Sequence, residues 1–139
     1  MASRDDPGPA RELHPELTPE QRQRLILEGL ELFNAGRYYD CHEAWETVWR
    51  STTPEPRDLW RGLIQVAVAF YHLRVRKRPD VALRVLRKGR RRVEPFAPSA
   101  AGLEVDQLLE SLDPWEAFLM DAGDQEPPAP LLHCVEEHA

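Results

Sequence analysis

The sequence predicts an all-α protein, a compact multi-helix bundle with one buried central helix. Through residues 19–120 the apolar side chains recur every three or four positions, which is the period of an amphipathic helix. No stretch alternates convincingly between apolar and polar residues, as a half-buried strand would. Residues 63–73 are apolar on almost every side of a helix, which indicates that other helices enclose them.

The first two helices have clear boundaries in the sequence. Thr18 suits the N-cap of helix one, Pro19 suits its first position, and Gln21 stands where a capping box needs it. Residues 34–36, Asn-Ala-Gly, are predicted to end that helix. Helix two is predicted to run from about Tyr38 to Arg50, before the prolines of the next link.

Three further helical regions follow along the chain. Helix three, the central one, is predicted over about Arg57–Arg76. Helix four is predicted to open at Pro79 and to run to Val93, where two prolines break it. Beyond them, two shorter amphipathic helices are predicted at Leu103–Leu112 and Pro114–Met120.

The first four helices show a faint internal repeat. The spacing of small and apolar residues from Gly29 to Val48 resembles that of a tetratricopeptide helix hairpin, and residues 70–89 repeat its second half. The interval between the two copies is longer than the roughly 34-residue unit of true arrays. Two hairpins are also too few for a solenoid. The pattern therefore predicts two tetratricopeptide-like hairpins that stack around helix three and close into a small bundle.

Length and composition fit one ordinary domain. The 139 residues are enough to bury a core without disulfides. Cys41 and Cys134 fit no CxxC motif, and Cys41 is predicted to be a buried, inert thiol on helix two. The chain shows no signal-peptide pattern and no apolar run long enough to span a bilayer, so the predicted location is cytoplasmic and no membrane partner is expected.

The ends of the chain are predicted to differ from its middle. Residues 1–18 are polar, charged and rich in proline, and a mobile N-terminal segment is expected there. Residues 19–120 form the single helical domain. Residues 121–139 again contain several prolines and are predicted to be a mobile tail.

Polar side chains in two predicted core helices mark the candidate site. His42, Glu43 and Glu46 share one side of helix two, and Gln65 and His72 interrupt the apolar middle of helix three. Buried polar groups are costly unless they are paired, hydrogen-bonded or bound to a ligand. If helices two and three pack against each other, these five side chains can meet.

Aromatic residues lie beside this polar set. Trp45 and Trp49 follow the helical spacing of helix two and are predicted to be core residues. Tyr38 and Tyr39, at the start of the same helix, are positioned to reach the rim of a pocket.

Three interpretations of the polar set remain open. The first is a site for a divalent metal ion, with His42, Glu46 and His72 as ligands, as in a metal-dependent hydrolase. The second is a small-molecule or catalytic pocket without a metal, in which a glutamate orients a histidine for proton transfer and Gln65 holds a substrate carbonyl. The third is a structural network that clamps two helices in register.

The same residues carry a resemblance to a known family. The segments Phe33-Asn-Ala-Gly-Arg-Tyr38, His42-Glu-x-x-Glu-x-x-Trp-Arg50 and Gly62-Leu-Ile-Gln-x-Ala-x-Ala-x-x-His72 resemble the domain-of-unknown-function family 309, whose members are small all-helical proteins. The resemblance spans about residues 25–96. The Gly-Asn pair usual after the second histidine is missing, since residues 74–79 stand there instead.

This resemblance implies a fold and a site but no reaction. It implies a helical bundle with a shared polar centre. The residues implied in that centre are His42, Glu43, Glu46, Gln65 and His72. The family has no assigned activity, so the question of whether this chain is an enzyme stays open.

A basic stretch is the second candidate interaction site. Residues 74–92 contain ten of the 18 lysines and arginines and a single acid, although the whole chain has a net charge of −6. A patch at Arg84, Lys88 and Arg91 would suit RNA, a phosphorylated ligand or an acidic protein. Alternatively, these cations form a solvated helix face and pair with the acids of helices one and two. The acidic net charge argues against a general nucleic-acid binder.

Overall fold

Five helices dominate the computed structural model, which describes residues 16–51, 55–121 and 125–135, and the all-α prediction is confirmed. The helices are α1 (Pro19–Asn34), α2 (Tyr38–Trp49), α3 (Arg57–Arg74), α4 (Pro79–Val93) and α5 (Val105–Asp121). A short 3₁₀ helix (Glu94–Phe96) and two two-residue strands, β1 (Ser99–Ala100) and β2 (Leu103–Glu104), connect α4 to α5. Most of the segment predicted to be mobile at the N-terminus lies outside the described residues.

The ends of the first four helices follow local sequence signals. The Thr18 hydroxyl accepts a hydrogen bond from the Gln21 amide at 3.1 Å, and the Gln21 side chain accepts one from the Thr18 amide at 2.9 Å. This is the predicted capping box. Gly36 has φ of +79°, which a residue with a side chain rarely adopts, so it turns the chain between α1 and α2. α4 has the predicted bounds.

Helix α3 lies at the centre of the bundle, as predicted. Every residue from 62 to 70 is buried, and α3 packs against α2 on one side and most extensively against α4 on the other. α1 packs on α2, and α5 packs on α4. Trp45 and Trp49 are core residues, 0% and 3% exposed, so the expectation for both is confirmed. Cys41 is fully buried, and burial raises the pKa of its thiol well above the ordinary value.

Two glycines let α3 and α4 approach backbone to backbone. A Cβ atom placed on Gly89 would lie 2.8 Å from the carbonyl oxygen of Gly62, and one on Gly62 would lie 2.9 Å from the carbonyl oxygen of Gly89. Neither helix can carry a side chain at this crossing without moving apart. The same contact places the final turns of α4 directly beside Gln65 of α3. A Cβ atom added to Gly89 would lie 3.1 Å from the Cβ of Gln65.

The region after α4 differs from the sequence prediction in one respect. Instead of two short helices divided near Pro114, a single helix α5 continues through that proline. Leu108, Leu112 and Trp115 lie on one side of α5 and are all fully buried. Because burial of this stripe stabilises the helix on both sides of Pro114, the backbone hydrogen bond that proline cannot donate does not end it.

The described part of the C-terminal segment packs on the bundle. Leu132 is fully buried, and its backbone donates to and accepts from the side chain of Asn34 at 3.1 and 2.8 Å. Trp115 donates to the carbonyl of Pro128 at 2.8 Å, and Cys134 forms an isolated bridge with Leu103 of β2. These contacts differ from the mobile tail that the prolines predict over residues 121–139. The apolar Leu132 and the Asn34 amide hold the segment.

Within the described ranges, no helix has the length and apolar character needed to cross a membrane.

Candidate functional site

The polar side chains of α2 form a chain of contacts along one helix face. The imidazole of His42 donates from Nε2 to Oε2 of Glu46 at 2.9 Å, and Nη2 of Arg50 contacts the other oxygen of that carboxylate at 3.0 Å. Each partner is four residues from the next, a separation that brings side chains together on a helix. Glu46 therefore holds His42 in one orientation while Arg50 holds Glu46.

The environment of His42 favours its protonated form. Burial acts to lower the pKa of the imidazole, because a charged ring loses contact with water. The hydrogen bond and the charge of Glu46 outweigh that effect, with further contributions from the Tyr39 backbone and the charge of Glu43. The pKa of His42 is thus above its ordinary value of 6.5.

His42 and His72 open onto one cavity between α2 and α3, which we call the histidine cavity. Its volume is about 340 Å³. Its lining residues among those described are Tyr39, His42, Val68, Tyr71, His72 and Arg76. Two imidazoles, two phenol rings, one aliphatic side chain and one guanidinium thus surround a space of ligand size.

Aromatic rings form the wall between the two histidines. The ring of Tyr39 lies 5.4 Å from that of His42 and 5.4 Å from that of Tyr71, between centroids. The ring of Tyr71 lies 5.8 Å from that of His72. His72 is 7% exposed, whereas Tyr39 is 51% exposed. The cavity therefore has a buried end at His72 and an open end at Tyr39.

Not all five predicted site residues line this cavity. Glu46 contacts His42, which lines the cavity. Glu43 is exposed, and its charge helps to raise the pKa of His42. Gln65, which is 1% exposed, instead lines a second cavity on the α4 side of α3. The five side chains therefore do not all converge on one space, although His42 and His72 both line the histidine cavity.

Sequence reasoning missed part of the lining. Tyr39 was expected at the rim, and the structure places it there, but Tyr38 is buried in the core, where its ring meets Phe33 at 5.6 Å. Val68 and Tyr71 were not singled out. The signal was present, since Tyr39 lies three residues before His42 and Val68 lies four residues before His72, which are helical neighbour spacings.

The metal hypothesis gains no support from the geometry. Among the described residues, no group of three or more histidine, cysteine, aspartate or glutamate side chains is arranged to hold a metal ion. The proposed ligand set of His42, Glu46 and His72 remains a sequence-based hypothesis.

The second cavity, which we call the basic cleft, lies between α3, the end of α4 and the 3₁₀ helix. Its volume is about 480 Å³. Its lining residues are Asp58, Gln65, Lys88, Arg91, Arg92, Pro95 and Phe96. Two of the three cations predicted to bind a partner, Lys88 and Arg91, thus face a concave space.

Other arginines of α4 are neutralised by α5. Arg90 contacts Asp113 and lies 3.1 Å from Glu116, and Arg87 lies 3.4 Å from Glu116. Arg90 also lies 3.5 Å from Glu94, just after α4. The sequence suggested acids of the first two helices as partners, but these acids belong to α5 and the 3₁₀ helix, because α4 packs on α5.

Comparisons with known proteins confirm the predicted family resemblance. Residues 26–85 match the family described as "Domain of unknown function (DUF309)". The chain is 36% identical over 95 residues to the uncharacterized protein YpuF of Bacillus subtilis (strain 168), an alignment that covers 63% of this chain and 52% of YpuF. The chain thus spans about half the length of that relative. No solved structure matches significantly, so the tetratricopeptide likeness of the hairpins stays a prediction.

Proposed function

We propose that this protein binds a small molecule in the histidine cavity. The observation that carries the proposal is the cavity itself, about 340 Å³ in volume and lined by an imidazole from each of two adjacent helices. Binding sites for small molecules typically have volumes of roughly 300–1,000 Å³ and combine apolar walls with a few well-placed polar groups. Val68 and the two tyrosine rings supply the walls, and the two histidines supply the polar groups.

The chemistry of the lining selects a planar ligand with an anionic or carbonyl group. Tyr39 and Tyr71 offer ring faces to a flat molecule. Arg76 adds a permanent positive charge. His42, with its raised pKa, donates a hydrogen bond in its protonated form and suits the transfer of a proton to a bound carbonyl or carboxylate.

The cavity favours a pocket over a purely structural clamp. A clamp needs its groups in direct contact, and well-packed interiors leave few spaces larger than a water molecule. Here the His42 and His72 side chains border a space that holds several non-hydrogen atoms, with an exposed tyrosine at its mouth. The pair of His42 and Glu46 then serves to orient one ligand-binding imidazole.

Titration of labelled protein with benzoate and related planar carboxylates, followed by amide NMR shifts, tests this function. We expect saturable shifts at Tyr39, Tyr71 and His72. Tyr39→Ala removes one wall from an exposed position and should weaken binding roughly tenfold while the protein stays folded. His133→Ala is the matched control, because His133 is exposed and outside the cavity. Equal affinity in wild type and Tyr39→Ala, or shifts confined to other surfaces, would refute the proposal.

A further inference from the structure

The basic cleft is a second site, separate from the histidine cavity and not used by the proposed function. Two consecutive turns near the end of α4 supply Lys88, Arg91 and Arg92 to one wall. The N-terminal half of α3 supplies Asp58 and Gln65 to the facing wall. Pro95 and Phe96 of the 3₁₀ helix complete the lining with apolar surface.

The two arginines of the cleft, Arg91 and Arg92, differ from their neighbours in how they are neutralised. Arg87 and Arg90, on the side of α4 that packs on α5, contact Asp113 or Glu116. Among the ion pairs of the described residues, none includes Arg91 or Arg92. Nε of Arg92 is also buried without a protein acceptor. A buried N–H donor is costly to leave unsatisfied, so this group is suited to an acceptor brought by a ligand.

The backbone contact of α3 with α4 fixes the two walls relative to each other. Gly62 and Gly89 meet where α3 crosses α4, beside the residues that line the cleft, and neither position has room for a Cβ atom. Lys88 directly precedes Gly89 and Arg92 follows it by almost one turn, while Gln65 lies almost one turn after Gly62 on the facing helix. The cleft is therefore built on two rigid elements at their closest approach, which keeps its cations in place before a ligand arrives.

The balance of charge indicates the ligand class. The lining includes three cationic side chains and one carboxylate, that of Asp58, and a phosphate monoester carries close to two negative charges at neutral pH. Arginine forks match the geometry of phosphate oxygens. Asp58 is an acceptor for a hydroxyl group of the same ligand, and Phe96 offers a ring to its organic part.

We infer that the basic cleft binds a small phosphorylated molecule, with the phosphate held by Lys88, Arg91 and Arg92 and the organic part set against Phe96. The volume of about 480 Å³ suits such a ligand. A long nucleic acid fits less well, because the net charge of −6 repels an extended polyanion outside this one concave region.

Calorimetric titration with phenyl phosphate tests the inference, since that probe combines a phosphate monoester with a ring. One molecule should bind per chain. Arg91→Gln, at an exposed position, should weaken binding roughly tenfold because a charge-assisted hydrogen bond is lost. Arg87→Gln is the matched control, since it removes the same charge from the same helix outside the cleft and should leave the affinity within about twofold.

A further comparison distinguishes binding of the whole phosphorylated molecule from binding of the phosphate group alone. Phe96→Ala should weaken the binding of phenyl phosphate and leave the weaker binding of inorganic phosphate unchanged. Equal loss in Arg91→Gln and Arg87→Gln, equal affinity for phenyl phosphate and inorganic phosphate, or binding of a single-stranded RNA oligonucleotide without binding of phenyl phosphate would each overturn the inference. Circular dichroism of every variant excludes unfolding as the cause of a loss.

Discussion

His42 is the residue whose behaviour depends most directly on its contacts. Its imidazole is partly buried, donates to Glu46 at 2.9 Å and has a raised pKa. The sequence predicted this pair, because a separation of four residues on a helix brings two side chains together whatever the surrounding fold. Gln65 and His72, seven residues apart, share a helical face but lie about 10 Å apart along the axis. Sequence alone could not show that these two side chains line different cavities.

The raised pKa of His42 predicts a pH-dependent stability. A group whose pKa is higher in the folded state stabilises the fold fully below its unfolded pKa of about 6.5, and that contribution is lost as the pH rises through the folded value. We expect the free energy of unfolding, measured in urea, to fall by under about 1 kcal/mol from this cause as the pH rises above about 6.5. His42→Gln should lack this component of the pH dependence.

The matched comparison is with His133→Ala, because His133 is exposed and has no contact with Glu46. Its pH profile should retain the wild-type slope in this range. An identical slope in wild type and His42→Gln would show that the pair with Glu46 does not raise the pKa of His42.

At the scale of elements, the local signals were sufficient for four helices and insufficient for the fifth. Thr18, Pro19 and Gly36 act through nearest neighbours, so the bounds of α1 could be read from the sequence. Pro114 also acts locally, but the burial of Trp115 by other elements overrides it. A proline inside a helix can be interpreted only when the tertiary contacts on both sides of it are known.

The crossing of α3 with α4 depends on small residues at its centre. Gly89→Ala should destabilise the protein by roughly 1–3 kcal/mol, because the added methyl group meets the Gly62 carbonyl oxygen at 2.8 Å and forces the helices apart. On an exposed helix position the same change would instead stabilise by up to about 1 kcal/mol. Chemical denaturation measures the difference.

Arg91→Ala, an exposed position on the same helix, is the control and should change stability by less than about 0.5 kcal/mol. If Gly89→Ala were as stable as wild type, the backbone contact between α3 and α4 would be wrong, and with it the fixed placement of the two walls of the basic cleft.

At the scale of the whole molecule, the described part of the C-terminal segment packs over the end of α1 and the middle of α5. Its prolines and charges predict mobility, and the sequence does not reveal that Asn34, 98 residues before Leu132, hydrogen-bonds to its backbone. Such distant contacts between a segment and a helix end leave no local pattern. The α5 acids that neutralise Arg90 are missed for the same reason.

Two adjacent leucines test the role of this segment. Leu132→Ala should cost roughly 2–4 kcal/mol, because Leu132 is fully buried and its removal leaves a cavity. Leu131→Ala should cost less than about 1 kcal/mol, since Leu131 is 42% exposed. Equal effects of the two substitutions on urea unfolding would show that the segment does not pack on the bundle.

The charge distribution also belongs to this scale. Arg87 and Arg90 face the acids of α5, whereas Lys88, Arg91 and Arg92 face a concave space. One part of the basic stretch seen in the sequence is thus neutralised by α5, and another part lines the basic cleft. The histidine cavity lies between α3 and α2, whereas the basic cleft lies between α3 and α4. Among the described residues the two sites share no lining residue, so a substitution in one leaves the lining of the other unchanged.

The most direct test of the histidine cavity as a binding site is the affinity of His72→Ala for benzoate, measured beside its thermal unfolding. We predict a folded variant with a cooperative transition and binding weakened by at least about tenfold, while His133→Ala binds as wild type does. An unfolded His72→Ala protein would identify His72 as part of a structural clamp. A folded variant with wild-type affinity would show that the cavity is not the binding site.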